Sequence, residues 1–307
     1  MSDAAAARDR VELVPNAGWD PRILVCRCAP TVDAFIVVTA RYVVLIDTLI
    51  NPATARAMLA FAREHLTARR GLLVVNTHAD WDHCWGNQLF SGPDAEAPAP
   101  IVASHRCAEH FRSPEAAPLL QSMQEREPGR FDEVRYAPPT ILFDERLTID
   151  GGDLTLDCFL TPGHTPDHVA IHLPEINTIL AGDAAEYPFP FARSADALPQ
   201  LRASLARLAA LKPAAALYCH APETSGPGLI ADNLAYFDTL EACCRAAIAR
   251  GLPPRRRRRP RNPRQLLLRQ RHPRRRHPPF YAEGHRAHIR MMLEWLARND
   301  EDDDGVT

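Results

Sequence analysis

The run Leu72-Leu73-Val74-Val75 leads without a break into His78-Ala79-Asp80-Trp81-Asp82-His83. A continuous apolar run of this length reads as a strand buried on both faces. Placing imidazoles and carboxylates immediately after it puts them on a loop at a strand end, held by a rigid scaffold. In an extended loop alternate side chains project to one side, so His78 and Asp80 are expected to converge on one ion while Asp82 or His83 reaches another. The helical HExxH pattern is absent. Mixed imidazole and carboxylate donors suit zinc, iron or manganese, and a set poor in thiolates argues against a structural zinc finger.

Three more candidates each close a strand-like run: His164 in TPGHTPDH, Asp183 in LAGDA and His220 in LYCHAPETS. The order of elements supports one frame for all of them. ILVCRC, DAFIVV and YVVLID read as an antiparallel meander. Pro52 opens a helix with Ala57, Leu59, Phe61, Ala62 and Leu66 on its apolar side, stopped by Gly71. PIVASH and RCAEHF read as a strand and a helix. The Pro-, Ala- and charge-rich stretches 91–100 and 113–139 around them read as a substrate-shaping insertion. TILFDERLTIDGGDLTLDCFL alternates in strand fashion about a Gly-Gly turn, and DHVAIHL, NTILAGD and AALYCH add strands. Helices follow at 201–211 and 229–249, the latter with Leu234, Phe237 and Leu240 on its apolar side. Each half therefore runs from strands to helix to strand. Such halves predict an α+β fold of four layers, αββα, with two mixed β-sheets packed face to face and helices outside.

THADWDH, TPGHTPDH, AGDA and YCH, in this order, resemble the HxHxDH signature and later ligand motifs of the metallo-β-lactamase superfamily, over roughly residues 23–250. The resemblance implies that His78, Asp80 and His164 bind one metal, that Asp82, His83 and His220 bind the other, and that Asp183 bridges them. It also implies two divalent metal ions, with zinc the usual choice, and a hydrolase using a metal-bridging hydroxide. The superfamily includes lactonases, thioesterases, β-lactamases, phosphodiesterases and dioxygenases, and a small ester, lactone or thioester is the expected substrate. Asp82 would be catalytic, orienting that hydroxide and shuttling its proton. Asp80 departs from the pattern, which usually has histidine there. Its added negative charge weakens the Lewis acids and makes iron or manganese more credible. The related flavodiiron proteins carry glutamate at this position but need a flavodoxin domain, and none is visible. An iron-dependent dioxygenase or redox enzyme on the same fold is the second reading. Around the cage, His168 is a candidate to hydrogen-bond a ligand, Tyr187 to donate to a substrate oxygen or pack its loop, and Trp81 to wall the pocket.

The formal net charge of −2 hides an uneven distribution. Twelve arginines and no acid lie between Arg255 and Arg276, leaving 24 basic against 38 acidic residues elsewhere. The arginine- and proline-rich segment 251–279 has three readings: a polyanion-binding arm, which would make this a nucleic-acid enzyme or binder, an inert linker, or the product of two compensating frameshifts. Without that arm the expected partner is a small molecule. Residues 1–11 read as a flexible leader, 12–250 as the main domain, 280–298 as a helix packing on it through Ile289, Met292, Leu293 and Leu296, and 299–307 as an acidic tail. No apolar run is long enough to span a membrane, and MSDAAAARDR lacks the features of a secretory signal, so a cytoplasmic location with eight reduced cysteines is expected.

Overall fold

The computed structural model describes residues 9–251 and 279–303; the arginine-rich stretch 255–276 lies outside the described residues. A seven-stranded sheet runs in spatial order from β1 to β7: β1 (Val11–Leu13), β2 (Ile23–Cys28), β3 (Val32–Val38), β4 (Tyr42–Ile46), β5 (Gly71–Val75), β6 (Ile101–Ser104) and β7 (Ile141–Phe143). β1 to β4 pair antiparallel and β4 to β7 parallel. A five-stranded sheet contains β8 (Arg146–Asp150), β9 (Thr155–Leu160), β10 (Val169–Leu173), β11 (Thr178–Leu180) and β12 (Ala215–Leu217). Its last pair is parallel and the others antiparallel. Both sheets are mixed, as the sequence predicts.

Side-chain alternation shows how the layers meet. Leu156, Cys158, Val169, Ile171, Leu173, Leu180 and Leu217 share one buried cluster with Ile23, Val25, Ile36, Leu45 and Val74 of the first sheet. The intervening Phe159, Ala170, Ile179 and Ala216 face the opposite way, into a second cluster with Leu201 and Leu205 of α5 (Ala197–Ala210) and Phe237 and Leu240 of α6 (Gly228–Ala249). Here α1 is Pro52–Arg63, α2 Trp81–Cys84, α3 His105–Phe111, α4 Ala116–Arg126 and α7 Pro279–Asp303. Helix α7 packs on α6 and buries Met292 and Leu296, with Ile289 and Leu293 partly covered. Among the described residues no helix is long and apolar enough to cross a membrane, and the eight cysteines are unpaired.

Local chemistry explains most boundaries. Asn51 caps α1: its side chain accepts from the Thr54 amide at 2.9 Å, and its own amide donates back to the Thr54 hydroxyl at 3.2 Å. Pro52 then begins the helix without losing a donor. The buried face is Ala55, Met58, Leu59 and Ala62, and the helix ends at Arg63, short of the expected Leu66. The sequence reading differs from the structure in three further places. Residue 11, placed in the leader, opens β1, and Asp9 just before it is gripped by Arg130 at 2.7 and 2.8 Å. The run beginning at Thr140 is divided, because β7 belongs to the first sheet and the β8–β9 hairpin to the second. The stretch 113–139, rich in proline and charge, contains α4, whose only buried residue is Ala116, so its apolar periodicity is weak in sequence.

Candidate metal centre

The proposed ligands lie beyond strand ends, in the loop or the short helix that follows. Thr77 and His78 follow β5; His164 lies between β9 and β10, Asp183 follows β11, and His220 follows β12. The loop after β5 is tied down from beneath by Asp47, which stands just past β4. Its carboxylate accepts the Thr77 amide and hydroxyl, both at 2.7 Å, and faces His83 Nδ1 at 2.8 Å. Asp47 and Leu49 hold left-handed backbone angles, φ 66° and 62°, which cost of order 1 kcal/mol each for such residues; these bonds help hold Asp47 there. Asp167 ties the same loop to the His164 turn by accepting the Ala79 amide at 2.8 Å.

Beyond Asp80 the chain does not stay extended. It coils into the short helix α2, with the His83 and Cys84 amides both donating to the Asp80 carbonyl, so Asp82 and His83 are delivered from consecutive helical positions. This corrects the expectation of simple alternation through the loop. Four stretches of chain nonetheless converge. His78 Nε2 and His164 Nε2 lie 3.4 and 3.3 Å from Asp80 Oδ2. His220 Nε2 lies 3.4 Å from Asp82 Oδ2, and His83 Nε2 3.8 Å from it. Asp183 Oδ2 faces both groups, 3.5 Å from His164, 3.8 Å from His78, 3.5 Å from His83 and 3.2 Å from His220.

Most of these separations are too long for strong hydrogen bonds, yet they have a simple meaning. Four donors around a cation at 2.0–2.2 Å in tetrahedral geometry stand roughly 3.3–3.6 Å from one another. His78 Nε2, His83 Nε2 and Asp183 Oδ1 are buried without any hydrogen-bond partner, which is costly unless something positive lies between them. The other ring nitrogens are committed. His164 Nδ1 faces the Phe191 carbonyl at 3.1 Å, which can only accept. His83 Nδ1 faces the Asp47 carboxylate, and His78 Nδ1 the Thr77 hydroxyl at 2.9 Å, whose proton already goes to Asp47. All three rings thus carry their proton on Nδ1 and turn Nε2 inward, the arrangement of a ligand oriented by a fixed acceptor.

The electrostatics agree. Burial works against charge on His83 and His220, but Asp183 and Asp82 outweigh it and raise both imidazoles well above their ordinary range. Burial likewise opposes ionisation of Asp183, and His220 and His83 overcome it, holding its carboxyl well below the usual range. The cage is therefore built to hold positive charge, and a divalent cation fits its donor set.

His168 has a different task. Its Nε2 accepts the Asp183 amide at 2.9 Å and its Nδ1 faces the Thr161 hydroxyl at 2.7 Å. Burial, then the neighbouring His78, keeps it well below the ordinary histidine range, so it stays neutral and fixes the backbone of Asp183. Gly182 makes that contact possible: at φ 54° a β-carbon there would stand 2.6 Å from His168 Nε2. Gly182→Ala should cost about 2–3 kcal/mol by strain and by breaking this bond, measured by urea unfolding; a change under about 0.5 kcal/mol would refute the packing described. Trp81 packs against Trp85 and Phe131, with ring centroids 6.1 and 5.7 Å away. Tyr187 packs, partly buried, against the second core cluster, and its amide donates to the His220 carbonyl at 3.1 Å.

Three neighbours were not foreseen from sequence. Asp47 is one. Glu186 lies buried with Oε1 3.6 Å from His164 Nδ1, and burial, then Asp183, pushes its carboxyl upward. Arg193 pairs with Asp80. An acid just beyond a strand end was a signal for Asp47; nothing local distinguished Arg193 from the other surface arginines.

Two mixed sheets with helices outside and a histidine–carboxylate cage at the strand ends define an αββα protein with a loop-borne metal centre. The chain belongs to the metallo-β-lactamase superfamily, whose sequence profile matches residues 30–220. It is 40% identical over 73 residues to a hydroxyacylglutathione hydrolase of Erythrobacter litoralis, a match covering 24% of this chain and 29% of that protein. Its fold is similar to a metallo-β-lactamase family protein from Thermus thermophilus, with TM-score 0.59 and 21% identity over 95% of this chain and 93% of the other. It is also similar to the stereoselective inverting sec-alkylsulfatase of a Pseudomonas species, with TM-score 0.62 and 19% identity over 94% of this chain and 51% of that one. The chain thus spans under a third of the curated relative it matches and about half of the sulfatase.

Proposed function

We propose that this protein is a metal-dependent hydrolase of small esters or thioesters. The observation that carries the reading is the set of inward-facing Nε2 and carboxylate oxygens at mutual distances of 3.2–3.8 Å. His78, Asp80 and His164 would hold one divalent ion, Asp82, His83 and His220 a second, and Asp183 would face both. Zinc is the first choice for this donor set, with iron or manganese favoured by the extra carboxylate. Such ions, when bound, act as Lewis acids and bring the pKa of water toward about 7.

The chain's own residues do the rest. Asp82 is held between His83 and His220, where its carboxylate can accept the proton of an attacking water. His168 and Asp47 hold the ligands against drift, through Asp183 and His83. No serine or cysteine nucleophile is needed: Cys84 and Cys219 beside the ligands are buried, and burial pushes both thiols upward, away from the reactive thiolate. The match to a hydroxyacylglutathione hydrolase supports a thioester among the possible substrates.

The test is a hydrolysis panel of lactones, thioesters, β-lactams and phosphodiesters on protein stripped by chelator and reloaded with zinc. We expect one ester or thioester class to be cleaved, with activity lost on stripping and recovered on reloading. Cleavage indifferent to metal removal, or iron-dependent oxygen consumption in place of hydrolysis, would overturn the reading.

A further inference from the structure

Arg193 lies between Ala192, whose amide donates to His288 Nε2 of α7 at 3.0 Å, and the start of α5. Its guanidinium pairs with Asp80, on the same Oδ2 that faces His78 and His164. Asp80 is its only hydrogen-bond or ion-pair partner among the described residues, and the Arg193 side chain is 54% exposed. Asp80 itself is nearly covered, so the arginine reaches inward from the rim to a carboxylate in the cage wall.

Two cations cannot share one oxygen comfortably. A divalent ion seated among His78 Nε2, His164 Nε2 and Asp80 Oδ2 would stand a few ångströms from a guanidinium on that same Oδ2, with little water between to screen them. Asp80 is wanted by both, and the metal, with two imidazoles besides, is the stronger claimant. The long, half-exposed arginine can leave at little cost, because nothing else grips it. Once released, a planar guanidinium remains at the mouth of the site with all its donors free, and the group it matches best is a carboxylate or another oxyanion.

We propose that Arg193 is a displaceable counter-cation: it holds Asp80 until a metal ion takes that carboxylate, and then binds an anionic group of the substrate at the rim. This rests on the metal-site reading above and deepens it, since it assigns the substrate a second, negatively charged point of attachment. It also explains how a histidine position can carry aspartate: the extra negative charge is matched by an arginine before the metal arrives.

The test uses zinc alone and two non-reacting anions on the full chain. In competition with a chromophoric chelator, Arg193→Met, which keeps length and removes charge, should bind zinc roughly five- to tenfold more tightly than wild type, while Arg193→Lys stays close to wild type. In calorimetry on the zinc-loaded protein, succinate should bind wild type more tightly than acetate. Arg193→Met should lower succinate affinity about tenfold and leave acetate within twofold. Equal zinc affinity in wild type and Arg193→Met would overturn the displacement. Equal losses for both anions, or none, would overturn the rim site. A wild type that binds no zinc would bring down the metal-site reading itself, a result distinct from either of these.

Discussion

Asp82→Asn should leave the protein folded and lower kcat by at least about a thousandfold. The substitution keeps shape and volume but removes the negative charge and the proton acceptor at once. General-base action alone is worth roughly 10²–10⁴ in rate, and weaker metal retention adds to the loss. Asp82 Oδ2 stands 3.4 Å from His220 Nε2, within the cage. Thermal unfolding within a few degrees of wild type would show that the loss is chemical. Turnover within threefold of wild type would remove Asp82 from the mechanism.

The second large effect should come from a residue outside the cage. Asp47→Ala removes the acceptor of the Thr77 amide, the Thr77 hydroxyl and His83 Nδ1, all buried. Stranding those donors should cost about 3–5 kcal/mol in urea unfolding. Metal affinity should fall by roughly 10–100-fold, because His83 loses the partner that fixes its ring. Asp47→Asn, which keeps an acceptor and tolerates the left-handed backbone, should cost distinctly less. Equal losses in the two variants, or a cost under about 1 kcal/mol for Asp47→Ala, would show that this carboxylate does not brace the site.

The contrast between these residues shows what sequence can carry. His78, Asp82 and His83 were legible because ligand-type residues crowd directly behind a buried apolar strand. His164, Asp183 and His220 were legible because each ends a strand-like run, and their order matched a known pattern. The two-sheet architecture followed from alternation and helix periodicity. Asp80 was visible as a departure from the pattern, and its Oδ2 lies beside His78 and His164. Arg193 was not visible, because its meeting with Asp80 spans 113 residues and depends on how the segment before α5 folds back over the cage. The sheet change between Phe143 and Arg146 was equally hidden: both sides alternate alike, and only three-dimensional packing decides which sheet takes each. Asp47 lies between. Its position just past a strand end was a hint, but its three bonds exist only once β4 and β5 lie side by side.

The cage should hold two divalent ions through two sets of ligands. Equilibrium dialysis against zinc, followed by elemental analysis, measures this directly. Wild type should retain about two equivalents, and His164→Ala and His220→Ala should each fall to about one. Less than one equivalent in wild type, or full retention in both variants, would contradict it.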